Sequence, residues 1–183
     1  MWPASIGYSR KTEKKGNRTM PVTSTQKDVK ALTLTYVAEF DAGIERVWQV
    51  WEDARQLERW WGPPTWPATF EQHEFVVGGW SHYYMTGPEG EKARGWWRIT
   101  ALDAPHRLEF DDGFSDENGN PTDADRPTRA VVTLEADGGR TRMKLVSRFV
   151  DAEQLEQMVN MGMEEGLREA VGQIDGLLAE TSR

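Results

Sequence analysis

Val47–Trp66, VWQVWEDARQLERWWGPPTW, carries five of the nine tryptophans of this 183-residue chain. Trp60 and Trp61 stand side by side and run straight into Gly62-Pro63-Pro64. A helix here ends in a bulky aromatic pair and turns sharply, because proline cannot continue a helix and biases the residue before it away from helical geometry. Upstream, Asp41 is placed to cap a helix over Ile44 to Glu52, and Asp53, with Gln56 three residues on, to cap a second one reaching Trp61. Such a corner needs a surface to pack against.

The flanking sequence supplies strands. Lys30 to Phe40 alternates, with Leu32, Leu34, Tyr36 and Ala38 on one face. Thr69 to Val77 reads as the next strand, Gly78-Gly79 as a bend or bulge, and Trp80 to Thr86 and Lys92 to Leu102 as a hairpin around Gly87-Pro88-Glu89-Gly90. Arg107 to Asp111 follows the Asp103-Ala104-Pro105 turn, and Gly113 to Pro127 reads as a polar loop. Two last strands, about 128–136 and 140–149, flank Gly138-Gly139, with Thr141, Met143, Leu145, Ser147 and Phe149 facing in. From Asp151 one long helix is expected to about Ala179, with an apolar stripe from Leu155 to Leu178. The expected fold class is α+β in the order β-α-α-β6-α. This is the helix-grip arrangement, a bent antiparallel sheet wrapped around a long C-terminal helix.

Bulk properties narrow the function. A formal charge of −8 repels a phosphate backbone, so nucleic acid is not expected as a partner. The chain has no cysteine, hence no disulfide framework and no thiolate chemistry. No apolar run approaches the roughly 18 residues that span a bilayer, so no membrane association is expected and the expected location is cytoplasmic. Residues 1–27, with Arg10, Lys11, Lys14, Lys15 and Arg18 against Glu13, read as a disordered basic N-terminal extension in which Met20 offers a second start; the domain is expected over 28–183.

Several segments carry a resemblance: Val47-Trp48, Arg59-Trp60-Trp61-Gly62-Pro63, Val77-Gly78-Gly79, Gly87-Pro88-Glu89-Gly90, Asp103-Ala104-Pro105-His106-Arg107-Leu108, Gly139-Arg140-Thr141 and Gly162-Met163-Glu164-Glu165-Gly166-Leu167. In this order they resemble the SRPBCC (START-like) superfamily, in the branch related to the C-terminal domain of the activator of heat-shock-protein-90 ATPase. The resemblance covers about residues 32–180 and implies the helix-grip fold. The chain departs from the pattern at Met163, where the family usually has tryptophan, and at Val76-Val77, where it has arginine before the glycine pair. Methionine is smaller and more adaptable than tryptophan, so the space beside the helix is expected to be reshaped. The family's co-chaperones resemble two-domain proteins with a separate N-terminal chaperone-binding domain, and no such domain is expected here.

The expected function is binding of an apolar or aromatic small molecule in a cavity between sheet and helix. Its expected lining is Trp60, His73, Phe75, Ser81, Tyr83, Met85, Phe110, Met143, Met158 and Met163, with His73, Ser81 and Tyr83 as orienting groups. Trp60 is the ring of the opening stretch expected to lean into that cavity. The enzymatic alternative, a polyketide-cyclase-like or hydrolase-like catalyst, would use His73 with Glu71 or Tyr83 as acid and base. A third reading is a co-chaperone-like interaction module or a homodimer, using outward-facing Trp80 and Tyr84. His73, His82 and His106 show no metal-ligand spacing, and no cofactor motif is present.

Overall fold

Strict alternation buries Leu34, Tyr36, Ala38 and Phe40 completely along one strand, and the same rule propagates across the sheet. The computed structural model describes residues 22–180. Its elements are, in chain order, β1 (Val22–Asp28), β2 (Thr33–Phe40), α1 (Ile44–Glu52), α2 (Ala54–Leu57), β3 (Ala68–His73), β4 (Trp80–Thr86), β5 (Lys92–Asp103), β6 (Arg107–Phe114), β7 (Thr128–Asp137), β8 (Arg140–Arg148), α3 (Ala152–Asn160), α4 (Met163–Gly172) and α5 (Ile174–Glu180). The strands form one antiparallel sheet in the order β1-β2-β8-β7-β6-β5-β4-β3. Its inner face packs on α1, α2 and the C-terminal helical run in a single apolar core. This is the helix-grip fold.

Four expectations change in detail. The first concerns the N-terminal extension: its residues 1–21 lie outside the described residues, but Val22–Asp28 pairs with β2, so the ordered sheet begins before residue 28. An edge strand satisfies its backbone on one side only and tolerates polar side chains, which is why VTSTQKD reads as tail. The second is β6, which runs on to Phe114 instead of ending at Asp111. The third is the long C-terminal helix, which is articulated: it breaks at Gly162, whose φ of 88° is a conformation that glycine adopts without strain, and again at Gln173. The fourth is the cap of α1. Gly43 occupies the N-cap position with no side-chain hydrogen bond, so Asp41 does not cap it. Asp53 does cap α2, accepting from the Arg55 N–H, although α2 itself spans only Ala54–Leu57 before turning into Trp60-Trp61.

The tryptophan corner is fixed from the far end of the chain. The Gln173 side-chain amide donates to the carbonyls of Gly62 (2.7 Å) and Trp60 (3.3 Å), and Arg59 pairs with Glu180. The break between α4 and α5 thus places an amide where the corner leaves carbonyls that no helix can satisfy. Gly62 itself, at φ 107°, could not carry a side chain, because a Cβ would collide with the Trp66 carbonyl.

Candidate functional site

Register lines up one row of inward-facing side chains across five strands: His73 on β3, Ser81 on β4, Trp97 on β5, Asp112 on β6 and Thr128 on β7. In an antiparallel sheet directly opposed residues point to the same face, so these five form a transverse band on the concave side. Aromatic rings enclose it. Trp97 stacks on Phe110 at 4.1 Å between centroids and meets Trp61 edge-on at 4.8 Å. Tyr83, one step along β4, stacks on Phe70 at 4.9 Å and lies 6.2 Å from Trp61.

The tyrosine ring can take this place because its cross-strand partner is Gly95, where a Cβ would stand 2.5 Å from the phenol oxygen. Burial raises the Tyr83 phenol well above its ordinary value, and the indoles of Trp61 and Trp97 lie against its hydroxyl. It remains a neutral donor and acceptor.

The two ends of the row differ. His73 Nε2 lies 3.0 Å from the Trp51 carbonyl and must donate to it, which leaves Nδ1 to accept the Ser81 hydroxyl at 2.7 Å. Burial lowers the His73 pKa, so the imidazole is neutral at pH 7. Asp112, only 7 % exposed, has an Oδ1 without a hydrogen-bond partner among the described residues, as has the Thr128 Oγ1 beside it. Burial pushes the Asp112 carboxyl up to about 6. Across the strand from this pair, Gly113 leaves the outer face open for Asp123, whose Oδ1 accepts from the Phe114 N–H at 3.0 Å and anchors the polar loop.

Of the expected lining, His73, Ser81, Tyr83 and Phe110 come together here. Trp60 does not: it is fully buried, its indole donates to the Val50 carbonyl at 2.8 Å, and its ring packs edge-on against Trp51. Trp61 is the ring that turns to the concave face. Phe75 lies past the end of β3, against Trp48 at 5.6 Å, at the rim. Met85 packs beneath the Gly62 corner. Met143 pairs between Ala38 and Leu134 at the other end of the sheet, while Met158 and Met163 are buried on α3 and α4.

The pairing of Glu71 with His73 fails, because a bulge between Phe70 and Gln72 shifts the alternation and sends Glu71 outward to Arg94 at 3.2 Å. Trp80 and Tyr84 do face outward, but both are half-buried under cations: Arg98 lies over Trp80, and Lys92 and Arg94 over Tyr84.

Asp112, Thr128, Trp61 and Trp97 are absent from the expected site. Leu108, Phe110 and Asp112 keep a period of two, and that alternation was the available signal for Asp112. Among the described residues no group of three or more His, Asp or Glu side chains is placed to hold a metal ion. No described helix is long and apolar enough to cross a membrane. A groove of about 290 Å³ between α1 and the β5–β6 turn, bounded by Glu45, Trp48, Gln49, Glu52, Ala104 and Pro105, takes in none of the row.

Residues 41–179 match the family model described as activator of Hsp90 ATPase homolog 1-like protein. A protein from Arthrobacter aurescens, solved by NMR, is 60% identical, with 88% of this chain and 94% of that one covered at a TM-score of 0.83. A crystal structure from Mycobacterium smegmatis is 46% identical, covering 89% and 100% at a TM-score of 0.81. A protein from Silicibacter pomeroyi, 22% identical over 81% and 98% at a TM-score of 0.65, shares the fold. No curated protein matches.

Proposed function

The chain belongs to the family of activator of Hsp90 ATPase homolog 1-like proteins, and on that premise we propose that it binds a small, largely apolar or aromatic molecule on the concave face of its sheet, against Trp61, Trp97 and Phe110. The observation that carries this reading is the buried polar end of the row. Asp112 Oδ1 and Thr128 Oγ1 have no partner among the described residues, in a setting otherwise walled by aromatic rings. A buried polar atom left unpaired costs about 1–3 kcal/mol, and a bound molecule that pairs with it recovers that cost. A few polar groups set in an apolar wall is the usual composition of a small-molecule site.

Proton–nitrogen correlation spectra of the nine indole N–H groups, recorded during titration with aromatic, polyketide-like and lipid-like compounds, test this. The Trp61 and Trp97 signals should move while that of Trp60, held by the Val50 carbonyl, stays fixed. If every compound left the Trp61 and Trp97 signals unmoved, the reading would be wrong.

A second reading has one observation in its favour. The Ser81 hydroxyl donates to a neutral His73 whose tautomer the Trp51 carbonyl sets, the arrangement of a hydroxyl nucleophile with its base. Turnover of an activated ester such as 4-nitrophenyl butyrate, lost in His73→Ala while ligand binding persists, would favour it over simple binding.

A further inference from the structure

The aromatic band alone accounts for an apolar ligand, but it leaves a carboxylate among the rings. Asp112 is more than nine-tenths buried, and its Oδ1 has no partner among the described residues. The side chains that could neutralise it are engaged elsewhere. Arg129, on the neighbouring strand, binds Asp111 at 2.9 Å, and Arg126 in the adjoining loop pairs with Asp151 at 2.6 Å. Arg98 and Arg94 on β5 face the opposite side of the sheet, over Trp80 and against Glu71. Among the described residues, the remaining charges that act on Asp112 are the carboxylates of Asp111 and Asp123, which add repulsion.

A buried carboxylate with no cation beside it among the described residues, next to Trp97 in the row and two residues from Phe110, has the chemistry of one half of an ammonium site. The carboxylate supplies the counter-charge, the ring faces supply cation–π attraction, and the Thr128 hydroxyl offers one more acceptor. A neutral ligand would leave the charge unpaired in low-dielectric surroundings, and an anionic one would meet repulsion.

We propose that Asp112 anchors the protonated amine of an aromatic or apolar amine, with the hydrocarbon body lying against Trp61, Trp97 and Phe110. This rests on the binding reading above and names the ligand class for the same site.

Calorimetric titration at pH 7.5 of wild type and Asp112→Asn with a matched pair, 1-naphthylmethylamine and 1-naphthalenemethanol, tests it. Wild type should bind the amine about tenfold or more tightly than the alcohol, the range of one charge-assisted hydrogen bond. Asp112→Asn should bind both about as weakly as wild type binds the alcohol. Equal binding of the two probes by wild type, or an amine preference that survives in Asp112→Asn, overturns the amine anchor and leaves the binding reading standing. The absence of binding by either probe overturns both.

Discussion

His73 and Asp112 sit in the same transverse row of one sheet, and the protein around them treats them in opposite ways. Each is a titratable group facing the core. Both ring nitrogens of His73 are matched, one by the Ser81 hydroxyl on the next strand and one by the Trp51 carbonyl at the end of α1. Asp112 has tryptophan on one side and, on the other, a threonine hydroxyl with no partner among the described residues. The β3 end of the row is therefore closed chemistry, a polar pair satisfied within the fold. The β6–β7 end is open chemistry. A histidine on an inward face draws attention in a sequence, yet here it is the carboxylate, two residues beyond an ordinary core phenylalanine, whose Oδ1 has no partner among the described residues.

Between the two ends stands Trp97, and its removal should have the largest effect on this contrast. Trp97→Ala takes away a fully buried ring that contacts Trp61, Phe110, Phe70 and Tyr83, and the loss should be about 3–5 kcal/mol in urea unfolding followed by circular dichroism. Both halves of the row should loosen together.

The next effect separates them. The folded-state value of Asp112, about 6, lies above its ordinary 3.8. The native state therefore holds this proton more tightly than the unfolded chain does. The resulting stability is fully present below about pH 4 and is lost as pH rises through 6. Asp112→Asn should stabilise the unliganded protein at pH 7 by up to about 3 kcal/mol and flatten its stability between pH 4 and 6.5. His73 works in the opposite sense. Its lowered value gives stability that is present above 6.5 and lost as pH falls below it. If Asp112→Asn proved destabilising at pH 7, Asp112 would have a protein partner and the contrast would collapse.

The smallest effect is the cleanest comparison of the two ends. Ser81→Ala strips a partner from a half-buried imidazole and should cost about 1–2 kcal/mol, whereas Thr128→Val removes a hydroxyl that bonds nothing described and should change stability by no more than about 0.5 kcal/mol. Equal costs in thermal unfolding would mean that the Thr128 hydroxyl is satisfied after all.

Much of the architecture was legible. The alternation of Leu34, Tyr36 and Ala38, the inward set from Thr141 to Phe149, the helix over Ile44 to Glu52 and the tryptophan corner all follow from local periodicity and turn chemistry. The site was legible only in part. His73, Ser81, Tyr83 and Phe110 keep the parity of their strands, so counting by twos places them. Glu71 was misplaced because a bulge adds one residue and reverses the parity beyond it. Asp112 was lost because Asp-Asp-Gly reads as the start of a loop, although the strand continues through it. Trp60 and Trp61 follow the same short helix side by side, and nothing in their spacing says which indole is held by the Val50 carbonyl and which turns to the concave face.

By itself the sequence determined the order of elements, the face each strand turns inward and the sharp corner at Gly62-Pro63-Pro64, since these depend on backbone sterics and on side-chain periods of two and 3.6. Only the tertiary structure decided which buried polar atoms are answered. One partner of His73 is a carbonyl 22 residues away, the corner's carbonyls are met by Gln173 more than a hundred residues on, and Asp112 Oδ1 meets no partner among the described residues. Hydrogen-bond satisfaction is a property of neighbours brought together by packing, and no local period in the sequence encodes it.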